Sequence, residues 1–170
     1  QQLSRVLNVL KDDDIQVIVL KGAHLAEAVY GDIGLRPMCD IDLLVKESDL
    51  SRAGESLLAI GYGQPQYTGE ALKHLYPFTK AGAFPVEVHW TLEKGPEPLK
   101  VDRHNLFDRA QRLSFAKSEA LCLCPEDLFL HICHHAAHHG FVLGFKPLCD
   151  IVEMVRFFGN KLDWDAISHR

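Results

Sequence analysis

The chain has 170 residues, 47% of them apolar, enough to bury a sizeable core and to set the expectation of one domain with at most a small appendage. Its 18 Lys and Arg against 23 Asp and Glu give a formal net charge of −5, which leaves no broad basic face for tracking a nucleic-acid backbone and excludes a template-following polymerase. No apolar run approaches the roughly eighteen residues of a membrane span, no charged leader precedes an apolar segment, and the five cysteines include no CxxC pair, so a soluble cytoplasmic protein is expected.

Leu3, Val6, Leu7 and Leu10 recur at helical spacing, predicting an amphipathic helix that ends at the acidic run Asp12 to Asp14. "IQVIVL" then reads as a short strand that runs through a glycine turn at Gly22 into a helix over "KGAHLAEAVY". "GDIGLRP" is a loop, "CDIDLLV" (39–45) a second strand, and Ser48 is placed to cap a helix from Asp49 to Ile60 that closes on Gly61. "HLYPFTK" and "FPVEVHW" flank "AGA" as a hairpin would, which makes the sheet mixed and puts Pro85 at a strand end.

After Trp90, "LEKGPEPLK" has the composition of a linker, and the remainder of the chain reads as mostly helical. Pro125 opens a helix expected to reach His139 and end at Gly140; "PLCDIVEMVRFF" repeats the helical pattern with Leu148, Ile151, Val155 and Phe158; "LDWDAISHR" begins one more helix. The expected fold is therefore α/β (α+β): a small mixed sheet flanked by helices over residues 1–93, followed by a helical part over 94–170, with a cleft between them. The chain opens on Gln1 rather than Met and stops at Arg170 inside an expected helix, as a trimmed piece of a longer protein would.

Strand alternation puts Asp40 and Asp42 on one face, their Cα atoms about 6.5 Å apart. Two parallel carboxylates repel, so they must face solvent at a strand end, meet cations or hold a metal. In "VEVHW" the apolar Val86, Val88 and Trp90 leave Glu87 and His89 on the opposite face, which adds a third acid on a neighbouring strand. Such a trio of acids can hold two divalent cations, as phosphoryl transfer requires. Gly22 at a helix start lets backbone approach a triphosphate, and Lys21 and Arg36 could supply charge. Each also has a plainer reading: solvated acids, an ordinary tight turn, an Arg36 paired with an aspartate, an exposed Lys21 and His89.

The order of glycine turn, hydrophobic-Asp-hydrophobic-Asp and later acid resembles the nucleotidyltransferase superfamily that includes DNA polymerase beta. More closely, "VLKGAHLAEAVYGDIGLRPMCDIDLLV", "VEVHW", "CHHAAHHGF" and "LCDIVEMV" are similar to the bacterial nucleotidyltransferase family five, from about Val17 to Trp164. The resemblance implies transfer of a nucleoside monophosphate from an NTP, with ATP the expected donor, to a hydroxyl acceptor with release of pyrophosphate. It implies Mg2+ or Mn2+ on Asp40, Asp42 and Glu87 as catalytic metal ligands, and a phosphate site at Lys21, Gly22, Ala23 and Arg36. The acceptor, a small molecule, peptide or protein, stays open. This chain departs from the superfamily in carrying Ala23 where a serine usually follows the glycine, and Glu87 where many members have aspartate. A binding module of the same fold without catalysis is the alternative.

"HICHHAAHHG" groups His131, His134, His135 and His138 along one helix side, with His135 and His139 four apart, a spacing compatible with zinc. No Glu follows the first His as in HExxH and no His-Asp doublet is present, so a packing or substrate-facing role for His135 and His139 is the expectation rather than a zinc hydrolase. Asp150 is expected to hydrogen-bond one of these imidazoles.

Overall fold

The computed structural model describes residues 1–63, 75, 77–92, 105–115, 118–138 and 144–169. Its centre is a five-stranded sheet in the order β3-β2-β1-β5-β4, formed by β1 (Ile18–Val19), β2 (Ile41–Leu44), β3 (Val86–His89), β4 (Gln111–Phe115) and β5 (Ser118–Cys122). The sheet is mixed: β1 runs antiparallel to β2 and parallel to β5, β2 runs parallel to β3, and β4 and β5 form an antiparallel hairpin.

Alternation along the central strands sends their apolar side chains to two separate cores. Val19, Ile41, Leu43 and Val45 join Val86 and Val88 beneath Val6, Leu7 and Leu10 of α1 (Gln2–Asp12) and Ala53 and Leu57 of α3 (Leu50–Ala59). Ile18, Leu20 and Leu44 point the other way. They pack with Leu25 of α2 (Lys21–Ala28), Leu128 and Ile132 of α5 (Pro125–His138) and Met154 of α6 (Lys146–Phe158). By the same alternation Asp42 lies on this second face, beside Leu44 and under α2 and α5.

The first helix ends where its acidic run begins, and Asp14 takes a left-handed φ of 56° to turn the chain into the sheet. The expected hairpin is present in its described part: Phe78 and Val86 exchange both backbone hydrogen bonds at 2.8 and 2.9 Å, Lys80 to Ala83 form the turn, and Pro85 sits immediately before β3. Pro125 is the first residue of α5, and a short α7 (Trp164–His169) closes the described chain. Among the described residues no helix is long and apolar enough to cross a membrane.

Several local expectations are corrected. Gly22 is not a turn ahead of the helix but the second residue of α2, which starts at Lys21. Ser48 does not cap α3: it lies within a 3-10 turn, Glu47–Asp49, and no side chain caps α3. The buried stripe of α6 is Pro147, Asp150 and Met154, with Ile151 and Phe158 partly covered, so Leu148 and Val155 face outward at 39% exposure each. The register of that helix follows Asp150, whose carboxylate must be satisfied inside, rather than the spacing of its aliphatic residues. Strands β4 and β5 are additions to the expected elements; they complete the same sheet from beyond the expected 93/94 division, and the expected linker falls almost wholly in 93–104, outside the described residues. A four-residue helix, α4 (Leu106–Arg109), leads into β4 and is tied to α5 by Arg109 on the buried Asp127, at 2.8 and 3.2 Å.

His24 of α2 is buried at 3% exposure, edge-on to Phe115, with Nδ1 unpaired, and burial lowers its pKa to about 4. Since the folded value lies below the unfolded one of about 6.5, the unfolded chain gains the proton first as pH falls, and stability drops between pH 6.5 and about 4 while staying unaffected above. Thermal midpoints measured from pH 7.5 to 4.5 should fall less steeply for His24→Leu than for the wild type; equal slopes would refute this assignment.

Candidate active site

The parallel register of β2 and β3 sets Asp42 directly opposite Glu87, and Leu44 opposite His89. Because Glu87 and His89 are two apart on one strand, both side chains emerge on the face that carries Asp42. One ligand atom from each of Asp42, Glu87 and His89 lies within 4.8 Å of the others. His89 Nε2 is 2.9 Å from Asp42 Oδ1 and 3.6 Å from Glu87 Oε2. Lys21, first residue of α2, brings Nζ to 3.2 Å from Asp42 Oδ2.

Asp42 is 2% exposed, and the partner of its Oδ2 is the Lys21 ammonium as an ion pair. Burial by itself raises this carboxyl's pKa, but the His89 hydrogen bond and the Lys21 charge outweigh it and hold Asp42 well below the usual carboxylate range. Asp40 stands half-buried just ahead of β2. Burial, then the charges of Asp42 and Glu87, raise its pKa against the opposing pull of Lys21. Of the three acids expected together, Asp42 and Glu87 thus meet directly, and Asp40 stands at the rim within reach of their fields.

No side chain caps the N-terminus of α2, which begins at Lys21 beside the acids. Position 22 is closely approached: a Cβ there would meet Arg36 Nη1 at 3.2 Å, a tight contact, and Met38 Cβ at 3.7 Å. Arg36 itself is buried and forks onto Asp150 of α6, with Nε at 3.0 Å from Oδ1 and Nη2 at 2.8 Å from Oδ2, while the Tyr30 hydroxyl donates to Oδ1 at 2.9 Å. Both oxygens of Asp150 serve the loop after α2, and of the imidazoles expected near it His139 lies outside the described residues. Ala23 is buried in the first turn of α2.

From the other side α5 presents its histidines. His131 is 8% exposed, and neither ring nitrogen has a partner. Burial, then the charges of Lys21 and His89, push its pKa well below the ordinary value. His135 is half-buried and acts electrostatically on His131; His139 lies outside the described residues. Reasoning from sequence gives His89 and His131 no role. For His89 the signal is there, since strand alternation already sets it beside Glu87; for His131 only the packing of α5 on α2 identifies it.

The profile of a family described as uncharacterised nucleotidyltransferase matches residues 1–170. The chain belongs to this family. No curated protein matches it. Among solved structures, ANT(2'')-Ia in complex with adenylyl-2''-tobramycin aligns with a TM-score of 0.67 and 13% identity over 94% of this chain and 89% of that one. The lincosamide antibiotic adenylyltransferase LnuA, lincomycin-bound, aligns at 0.62 and 14% identity over 90% and 94%. An antigenic nucleotidyltransferase-like protein from Paracoccidioides brasiliensis aligns at 0.59 and 17% identity over 91% and 74%. At these identities the likeness is one of fold, and the nucleotidyltransferase fold expected from the motifs is the one this family member has.

The Arg36 and Asp150 pair is buried on both sides, so removing one partner strands the other charge. Asp150→Ala should lower unfolding stability by about 3 to 5 kcal/mol in urea titrations, with Arg36→Met, Asp150→Leu together costing less than the single change.

Proposed function

We propose that this protein transfers a nucleoside monophosphate from a nucleoside triphosphate, ATP being the first donor to test, to a hydroxyl group of an acceptor, releasing pyrophosphate. The observation that carries the reading is the buried carboxylate of Asp42, set directly opposite Glu87 at the N-terminus of α2. It also supports a fit to divalent cations, Mg2+ or Mn2+, on Asp40, Asp42 and Glu87: a buried anionic oxygen with only a lysine nearby is a donor that a hard cation takes readily. Bound there, cations would neutralise phosphate charge and align the attacking and leaving oxygens.

The chain's own residues supply the rest. First-turn N–H groups of Lys21, Gly22 and Ala23 receive the triphosphate, with Arg36 Nη1 above Gly22 adding charge and Asp150 fixing the guanidinium's orientation. Lys21 leaves Asp42 for the phosphates. The acceptor oxygen bonds to the α-phosphorus as the bond to the pyrophosphate oxygen breaks, and its proton passes to Glu87, which is half-buried and can release it to solvent. A hydroxyl-bearing small molecule is the acceptor class to screen first, because the relatives of similar fold include enzymes seen with adenylylated tobramycin and with lincomycin.

The decisive experiment follows pyrophosphate release and acceptor mass change across nucleotides and hydroxyl compounds. Asp42→Asn should lower turnover by at least about a hundredfold with an unchanged far-UV spectrum, since it removes a charged donor at constant volume. Near-normal turnover would refute the assignment, and nucleotide binding without any transfer would favour the binding module. The thermal midpoint should also rise on adding Mg2+ or Mn2+ to the wild type and not in the Asp40→Asn, Asp42→Asn double variant; an equal rise in both would place the ion elsewhere.

A further inference from the structure

We infer that His131 reads the sugar of the nucleotide, its ring taking a hydrogen bond from a ribose hydroxyl and so selecting ribonucleoside over deoxyribonucleoside triphosphates. The inference rests on the proposed function and goes further by naming a specificity-determining residue and the substrate group it recognises.

His131 lies on α5 at 8% exposure, and neither of its ring nitrogens has a hydrogen-bond partner. An unmatched buried polar atom costs stability, and this ring carries two of them on a helix whose Leu128 and Ile132 pack into the same core as Leu25 of α2. A leucine at 131 would extend that core without the cost. A partner that arrives from outside the chain accounts for the histidine.

The surroundings of the ring say where that partner binds. The charges acting on it are those of Lys21, His89 and Asp42, at the acid end of the site, and of His135 one turn along α5. Burial, then the charges of Lys21 and His89, keep the imidazole neutral, so it offers one N–H and one bare nitrogen. Phosphate and carboxylate oxygens only accept, and can serve the N–H alone. The bare nitrogen needs an O–H or N–H donor.

In the proposed reaction the attacked hydroxyl gives its proton to Glu87 and Lys21 goes to the phosphates. The ribose hydroxyls are then the donors that the nucleotide itself brings to this end, because the sugar is joined through one oxygen to the α-phosphorus and that phosphorus reacts at the acids. Both ring nitrogens are closed to water while Lys21 rests on Asp42. They become reachable as the nucleotide draws Lys21 away.

The test is titration calorimetry on the purified chain with Mg2+ and without any acceptor, using ATP, GTP, CTP and UTP beside their 2′-deoxy and 3′-deoxy forms. A ribonucleotide that binds should be held about tenfold or more tightly than the deoxy form lacking the recognised hydroxyl, since that loss leaves a buried nitrogen unpaired. In His131→Leu the preference should shrink to within about twofold, and in His131→Gln, which keeps an acceptor oxygen, part of it should remain. The wild-type series needs no variant, so misfolding of His131→Leu does not remove the test. Equal wild-type affinities for the ribonucleotide and both deoxy forms, or a preference that survives intact in His131→Leu, would each overturn the inference and leave the transferase reading standing. Failure of every triphosphate to bind would sink both.

Discussion

The buried carboxylate of Asp42 is the constraint around which the rest of this protein is arranged. A charge at 2% exposure on a central strand is tolerated only with compensating partners, and the two it has come from different elements. Lys21 arrives from the start of α2 because the β1 strand runs straight into that helix; His89 arrives from β3 because the parallel register places it one alternation past Glu87. Sheet order, helix start and acid cluster are thus one arrangement. A slip of one residue in the β2–β3 register would turn Glu87 and His89 away from Asp42 altogether.

The second fixed point is the Arg36 and Asp150 fork. It fastens α6 to the loop between α2 and β2 and holds a guanidinium close over Gly22, where a Cβ would meet it at 3.2 Å. The helical part of the chain is in this way an orienting element for the N-terminal end of α2. Through α5 it also supplies His131 to the acid end. A buried charged pair of this kind adds little net stability, but it fixes geometry.

Exposed aliphatic side chains on α6 show the same precedence. Leu148 and Val155 belong to the helix's apolar spacing, yet they face outward because Asp150 faces in. Satisfying one buried carboxylate outranks burying two aliphatic groups, each worth about 1.5 to 3 kcal/mol when fully covered.

Local pattern alone determined the α1 stripe of Val6, Leu7 and Leu10, the Asp42 and Glu87 strands with their polar face, the hairpin around Gly82, and the α/β class. Each of these depends on a period of two or 3.6 residues that the chain carries wherever it is placed. The motif order was enough to indicate the nucleotidyltransferase family and the acids. What the tertiary structure decided concerns partners far apart in sequence. β4 and β5 read poorly as strands because their exposed alternation is weak, and only the pairing of β5 with β1 and of β4 with β5 defines them. Asp150 could not be assigned to Arg36, 114 residues away, nor His89 to Asp42, 47 away, by any local rule, since a buried charge finds its partner through the packing of whole elements.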